Sequence, residues 1–204
     1  MRKVNFKNLE WYILEINEEN VKLLCVNVLD EKHIKKYIDD ERYRYEDRVR
    51  YDLDFYNSTI SWENSYIKNI VLENFKNDMG IDCEVDLLTR EERNNLIYQI
   101  RNCNKWYWTK TMFDNHRFFA GTASGFSSPL RLDACLGIRP VLYTKTSNLN
   151  LTTKEIKDYI FYNEDEDLKN SKKEELSSGI TKIGTIDEII KWLRNKREKN
   201  NGKN

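Results

Sequence analysis

The sequence predicts an α+β fold, because strand patterns and amphipathic helix patterns both occur within its first 145 residues. Residues 4–16 and 21–28 are rich in β-branched and aromatic side chains and flank a polar turn, which predicts a hairpin. An apolar stripe over 61–75 predicts a helix. Further along, an aromatic strand at 105–111 and a closing strand at 136–143 flank a loop rich in turn-forming residues.

Residues 30–58 differ from the hairpin before them, because charged residues alternate there with tyrosines. Two interpretations remain open for this segment. It is either a solvated excursion over the core or a contact surface, since Tyr and Arg are enriched at interface hot spots. The contact surface would include Tyr43, Arg44 and Tyr45.

Residues that favour helix ends indicate the limits of the first core helix. Ser61 can accept hydrogen bonds at the start of the helix, and Gly80 suits the left-handed conformation at its end. Between these positions, helical spacing places one set of apolar residues on a single face: Trp62, Tyr66, Ile67, Ile70, Val71 and Phe75.

The sequence contains three capping boxes, in which a threonine is followed three residues later by glutamate. The box at 89–92 follows a short predicted strand at 83–88 and opens a second core helix that extends through Ile97 and Ile100. The boxes at 152–155 and 185–188 open helices in the C-terminal part.

These patterns divide the chain into two parts. Residues 1–145 form the predicted domain, which includes the excursion at 30–58. Residues 146–204 form a helical extension that begins with a polar linker. The extension contains an acidic loop at 163–179, a helix at 185–198 and a basic tail.

Composition argues against several functional classes. The 204-residue chain has a formal net charge of zero and a pI near 6.8, so a generally basic nucleic-acid binder is not favoured. No apolar run follows the first three residues, and no stretch approaches 18 apolar residues. We therefore expect a cytoplasmic protein with no signal peptide and no membrane partner.

The metal-binding residue types are sparse and scattered. The four cysteines contain no C-x-x-C pair, and the two histidines, His33 and His116, lie far apart in the sequence. We expect no metal and no cofactor, and we expect reduced and mostly buried thiols at Cys25, Cys83, Cys103 and Cys135.

Taken together and in order, several motifs resemble an uncharacterised domain family of bacteria and phages. That family has a C-type-lectin-like fold and is related to the formylglycine-generating enzymes and to the variable proteins of diversity-generating retroelements. The matching segments are Glu-Trp-Tyr-Ile-Leu at 10–14, the apolar strand 21–28, Trp-Glu-Asn at 62–64, the segment 86–92, Tyr-Trp-Thr-Lys-Thr at 107–111 and Gly-Ile-Arg-Pro-Val-Leu at 137–142. Two features depart from the family pattern: Thr-Lys-Thr at 109–111 replaces Leu-Arg-Ser, and 30–58 is longer.

The resemblance implies an α+β domain with a small antiparallel sheet, two core helices and terminal strands that lie close together. It also implies that partners bind the surface between the aromatic strand and the closing strand. Here that surface would consist of Trp106, Trp108, Lys110, Phe113, His116, Arg117, Phe118 and Phe126.

Other chemical readings of the same residues are weaker. An oxidase related to the formylglycine-generating enzymes would need two adjacent cysteines and copper, but Cys103 is the only cysteine near the matching region. Trp62-Glu63-Asn64 opens a helix and supplies too few oxygen ligands for calcium. We interpret Arg139 as a structural arginine held by hydrogen bonds beneath the loop.

The sequence therefore predicts a non-enzymatic module that recognises another protein. Because the family is frequent in phages, we expect a phage or prophage product that binds a host or particle protein, for example as an inhibitor of a host defence enzyme. The alternatives are a nucleic-acid-binding accessory protein, based on the Arg and Tyr residues of 42–51 and the basic tail, and the oxidase.

Overall fold

A computed structural model describes residues 3–53, 60–103, 105–149, 151–152 and 155–156. The chain divides into two units, residues 1–151 and 152–204. Most of the second unit lies outside the described residues, including the predicted acidic loop, the helix at 185–198 and the basic tail. At its start, Thr152 Oγ1 accepts a hydrogen bond from the Glu155 backbone N–H at 3.2 Å, as the capping box predicts.

The first unit is a mixed α+β structure of small antiparallel sheets and short helices. Its strands are β1 (Lys3–Phe6), β2 (Leu9–Ile16), β3 (Asn20–Cys25), β4 (Arg44–Tyr45), β5 (Arg48–Arg50), β6 (Cys83–Asp86), β7 (Tyr107–Asp114), β8 (Arg117–Gly121), β9 (Ser127–Arg131), β10 (Cys135–Leu136) and β11 (Val141–Lys145). Its α-helices are α1 (Glu31–Tyr37), α2 (Glu73–Met79), α3 (Arg90–Asn95) and α4 (Tyr98–Arg101).

The largest sheet has five strands in the order β1-β2-β3-β11-β6. The predicted hairpin of β2 and β3 is present, and the closing strand β11 pairs with β3, so early and late segments of the unit lie side by side. Neighbouring residues of the sheet face opposite sides. On one face, Trp11 packs against Phe75 of α2. On the other face, Leu24 and Val141 pack against Leu88 and Ile100.

Two further sheets have three strands each, in the orders β10-β5-β4 and β7-β8-β9. They meet at an aromatic cluster, in which the Tyr51 ring stacks on Phe118 at 3.9 Å and lies edge-on to Trp108 at 5.2 Å. Tyr51 is fully buried. The segment 30–58 is therefore not only a solvated excursion, because it also supplies core residues: Ile34, Tyr37, Ile38, Val49 and Tyr51.

The first core helix begins later than predicted. Residues 62–64 form a turn, and Ser65 caps the helix instead of Ser61, since its Oγ accepts the backbone N–H of Lys68 at 3.2 Å. A π-helical segment, Ile67–Leu72, then leads into α2. The wider π-helical turn shifts the buried face, which leaves Ile70 exposed. Gly80 ends α2 in the left-handed conformation, as predicted.

Three other boundaries differ from the sequence analysis. The predicted second helix is interrupted at Leu96, whose backbone is extended, so that α3 and α4 are separate. The predicted loop between the aromatic and closing strands is largely the hairpin of β8 and β9. Residues 146–149 form a 3-10 turn rather than a free linker, and Thr146 Oγ1 donates a hydrogen bond to the carbonyl of Asn17 at 2.9 Å.

Candidate functional site

The residues predicted to recognise a partner fall into three structural groups. Trp106, Phe113, Phe126 and Tyr45 are exposed. A second group is partly exposed: Lys110, His116, Arg117, Tyr43 and Arg44. The third group, Trp108 and Phe118, is buried.

The placement of Trp108 and Phe118 on the recognition surface is wrong. Trp108 is 1% exposed, and its indole N–H donates a 2.8 Å hydrogen bond to the carbonyl of Val49. Phe118 stacks on Tyr51 within the same cluster. Tyr107, Trp108 and Thr109 are all buried, so side chains on both faces of β7 are covered near its start. Both aromatic residues stabilise the core and cannot contact a partner directly.

Phe126 is the most exposed large apolar residue of the described part of the chain, at 73%. It is the last residue of the turn between β8 and β9, which is stabilised by backbone and side-chain hydrogen bonds. The Thr122 N–H donates to the Phe126 carbonyl at 2.8 Å, and the Phe126 N–H donates to Thr122 Oγ1 at 3.0 Å. The phenylalanine therefore projects into solvent from an ordered turn rather than from a free loop.

Two other exposed apolar residues belong to the same region. The Tyr98 ring lies against Gly125, so closely that a Cβ added there would be 2.9 Å from a ring carbon. Ile97 precedes Tyr98 at the start of α4, and the two side chains are 54% and 52% exposed. We call Ile97, Tyr98 and Phe126 the Phe126 patch. The sequence analysis missed Ile97 and Tyr98, because it predicted one helix through Ile97 and Ile100 without the break at Leu96.

The turn rests on the buried side chain of Arg93. Its Nη2 donates to the Phe126 carbonyl at 2.7 Å, and its Nη1 donates to Ser127 Oγ at 3.0 Å. Its Nε donates to the Tyr107 hydroxyl at 3.0 Å. Arg139, also buried, reaches the same hydroxyl at 3.4 Å and donates to the Cys25 carbonyl at 2.8 Å. Arg139 is therefore held by hydrogen bonds, as predicted, but its acceptors lie at the end of β3, at Arg101 and at Tyr107 rather than in the loop.

A second exposed group lies at the opposite end of the β7-β8-β9 sheet. The Arg117 guanidinium is 4.5 Å from the centre of the Phe113 ring, and Phe113 lies edge-on to Phe119 at 5.3 Å. Arg90 covers the Phe119 ring at 4.2 Å. Asp114 accepts from Arg117 Nε at 2.8 Å. These contacts engage Phe113 and Arg117 within the protein, whereas the Phe126 ring has no such neighbour among the described aromatic and cationic side chains.

The hairpin of β4 and β5 contains the other predicted contact residues. Tyr43 stacks on Tyr66 at 3.7 Å, and Arg48 lies over the Tyr45 ring at 4.6 Å. Four cations in or beside this hairpin are paired with nearby carboxylates: Arg42 with Asp40, Arg44 with Glu41, Arg48 with Glu46 and Lys105 with Asp47. The Arg50 guanidinium donates instead to the Arg42 carbonyl at 3.2 Å. The four ion pairs reduce the positive charge that is available to the phosphates of a nucleic acid.

The cysteines lack the surroundings of a reactive thiolate. All four are free, and Cys25, Cys83 and Cys103 are buried. Burial raises the pKa of the Cys25 thiol to about 11, so it is protonated at neutral pH. The Cys103 thiol donates to the Lys105 carbonyl at 3.4 Å. Within the described ranges, no three histidine, cysteine or carboxylate residues form a group that could hold a metal ion.

An open cavity of about 600 Å³ lies at one end of the five-stranded sheet. It combines residues from β2, β3, β6 and β11, a grouping that depends on long-range strand order. Lys22 on its wall is ion-paired with Glu15 at 3.1 Å and with Glu92 at 2.9 Å. The lining also contains Asp82, Glu84 and Lys145, so charges of both signs surround the cavity.

Comparisons with family models, curated proteins and solved structures found no match to this chain. In the part of the chain that the structure describes, no helix combines the length and apolarity needed to cross a membrane.

Proposed function

We propose that this chain is a non-enzymatic recognition module that binds another protein through the Phe126 patch. One observation carries the proposal: Phe126 is 73% exposed on a turn whose backbone is fixed by hydrogen bonds. Exposing an aromatic ring to water opposes the hydrophobic effect, and large aromatic residues are enriched at the energetic centres of protein interfaces. A rigid turn lowers the entropy that is lost when such a ring is buried by a partner.

The patch has the composition of a small protein contact. Ile97, Tyr98 and Phe126 combine aliphatic and aromatic surface, and the exposed side chain of Asn94 adds polar groups beside Ser127. Tyr98 and Phe126 have few rotatable bonds, so they bind at a low cost in conformational entropy. This combination favours a protein surface with an apolar pocket.

The proposal includes the C-type-lectin-like core and the phage or prophage setting expected from the sequence motifs. The pairing of β11 with β3 supports a core of that kind, because it brings early and late strands together. In this setting the partner is a host or particle protein, for example a defence enzyme whose surface the module occludes.

The proposal is tested by capture from a nuclease-treated bacterial lysate with three versions of the tagged full-length chain. These are the unchanged protein, Phe126→Ala and the control Ile70→Ala, which removes an exposed apolar side chain elsewhere. We expect one stoichiometric protein with the unchanged chain and the control, and at least a tenfold lower yield with Phe126→Ala. Such a loss corresponds to about 1.4 kcal/mol or more of binding free energy.

A second phenylalanine distinguishes the two ends of the β7-β8-β9 sheet. Phe113→Ala removes an exposed ring at the other end and should leave capture unchanged. Capture that depends on Phe113 but not on Phe126 would contradict the proposed site. Recovery of nucleic acid before nuclease treatment, and of nothing after it, would contradict protein recognition altogether.

A further inference from the structure

We infer that Arg93 is a positioning residue, which fixes the turn at 122–126 from below and thereby determines where Phe126 projects. The inference rests on the proposed function, because it concerns how the contact residue is presented. Arg93 itself is fully buried and touches no partner.

The hydrogen bonds of Arg93 are directed at the turn at 122–126, which we call the display turn. Two of its three nitrogens bind the segment that carries the exposed ring, through the Phe126 carbonyl at 2.7 Å and Ser127 Oγ at 3.0 Å. The planar guanidinium makes both bonds at fixed relative angles, which a lysine ammonium cannot reproduce. One side chain therefore holds both the Phe126 carbonyl and the Ser127 hydroxyl.

The other side of Arg93 is anchored to the core. Its Nε donates to the Tyr107 hydroxyl, which in turn donates to the Arg101 carbonyl at 2.9 Å. Arg139 donates to the same hydroxyl and binds the carbonyls of Cys25 and Val26 at the end of β3. A continuous set of hydrogen bonds thus connects the largest sheet to the display turn.

Gly121 allows the guanidinium to lie flat beneath the turn. A Cβ at this position would be 2.5 Å from Arg93 Nε and 2.6 Å from Tyr107 Cζ, distances that no side chain can accept. The absence of a side chain at Gly121 therefore permits both the arginine and the tyrosine to contact the backbone of β8.

Burial alone does not distinguish Arg93 from Arg139, because both arginines are buried and bind neutral oxygens. Among the residues that the structure describes, no carboxylate pairs with Arg93. A buried charge loses its hydration, so its hydrogen bonds must compensate for that loss. The specific feature of Arg93 is its contact with the residue that is displayed.

The test measures hydrogen exchange of backbone amides in the free full-length protein, by NMR or mass spectrometry, for the unchanged chain and Arg93→Lys. The reporting amides are Thr122, Gly125 and Phe126, which are bonded within the turn, and the reference amides are those of β2 and β3. We expect exchange to become at least tenfold faster in the turn relative to the reference. Equal acceleration everywhere, or no change in the turn, would overturn the inference.

Ser127→Ala provides a second variant in case Arg93→Lys does not fold. It removes one acceptor of the arginine at a partly exposed position, and we expect at least threefold faster exchange in the turn relative to the reference amides. An unchanged ratio would reject the positioning role. Because exchange needs no partner, its result is independent of the capture experiment. Faster exchange in the turn of Arg93→Lys would support the positioning role. If capture were at the same time unchanged in Phe126→Ala, the proposed function would be rejected and the positioning role would stand.

Discussion

Trp106 and Trp108 are two residues apart in the sequence and have different environments. Trp108 packs between Tyr51 and the hairpin of β4 and β5, and its indole N–H has a buried partner in the Val49 carbonyl. Trp106 is exposed. Strict strand alternation would place both side chains on the same face, but Trp106 lies outside β7, which begins at Tyr107.

The pair makes a residue-scale prediction. Trp108→Phe should lower the free energy of unfolding by about 2–3 kcal/mol, because it leaves a cavity and an unpaired carbonyl in the core. Trp106→Phe should change it by less than about 0.5 kcal/mol, as expected for an exposed residue. Urea unfolding monitored by circular dichroism measures both values. A larger loss of unfolding free energy for Trp106→Phe would contradict the observed exposure of Trp106.

At the scale of single elements, the start of α3 joins a helix cap to a long-range ion pair. The Glu92 carboxylate accepts the Thr89 backbone N–H at 2.7 Å and the Lys22 ammonium at 2.9 Å. Burial raises the pKa of Glu92, but these hydrogen bonds outweigh it and lower the pKa to about 2. Burial likewise lowers the pKa of Lys22, and its bonds to Glu92 and Glu15 raise it overall.

This arrangement predicts an acid-dependent loss of stability. The pKa of Glu92 is lower in the folded state than its ordinary value of 4.5, so its contribution is fully present above pH 4.5 and is lost as the pH falls towards 2. Glu92→Gln keeps an amide that can complete the cap but removes the charge. We expect a cost of about 1 kcal/mol at pH 7, since the carboxylate is partly exposed.

The measurement is the free energy of unfolding of both chains between pH 2 and pH 7. The difference between the unchanged protein and Glu92→Gln should shrink as the pH falls below 4.5. Other carboxylates with lowered pKa values, such as Asp30 and Asp78, titrate in both chains and cancel in this difference. A difference that is constant over the whole range would exclude the ion pair as its source.

On the scale of the whole molecule, local patterns predicted the α+β class, the first hairpin, the capping box at Thr89 and the left-handed Gly80. Each of these depends on residues close together in the sequence. Local patterns did not predict the position of β11 between β3 and β6, because strand pairing over more than fifty residues has no local signal. Only the motif resemblance implied that early and late strands lie close together.

The same distinction applies to the candidate site. Phe126 lies in a segment rich in turn-forming residues, so its exposure could be predicted. Tyr98 joins it only through the contact with Gly125, and Arg93 reaches the turn from another helix. Trp108 was misplaced because its burial depends on Val49 and Tyr51, which precede it by more than fifty residues.

The position of β11 between β3 and β6 leads to a prediction for shortened chains. A chain that ends at Leu151 retains all of β11 and the Thr146 hydrogen bond to Asn17, whereas a chain that ends at Tyr143 loses both Thr144 and Thr146. We expect cooperative thermal unfolding for the first chain. For the second we expect a midpoint at least 4 °C lower, the size of shift that about 1–2 kcal/mol produces in a domain of about 150 residues. Equal midpoints for the two chains would show that residues 144–151 do not stabilise the fold.

The turn that carries Phe126 is held through main-chain atoms and the Thr122 hydroxyl, and the side chain at position 126 takes part in none of these bonds. Under the proposed function, the residue that contacts a partner and the residues that hold the turn occupy different positions of the sequence. A single codon change at 126 would then alter the surface offered to a partner and leave the supporting hydrogen bonds intact, whereas a change at 93, 107 or 121 would disturb them. In this way the protein could acquire a new target without a new fold.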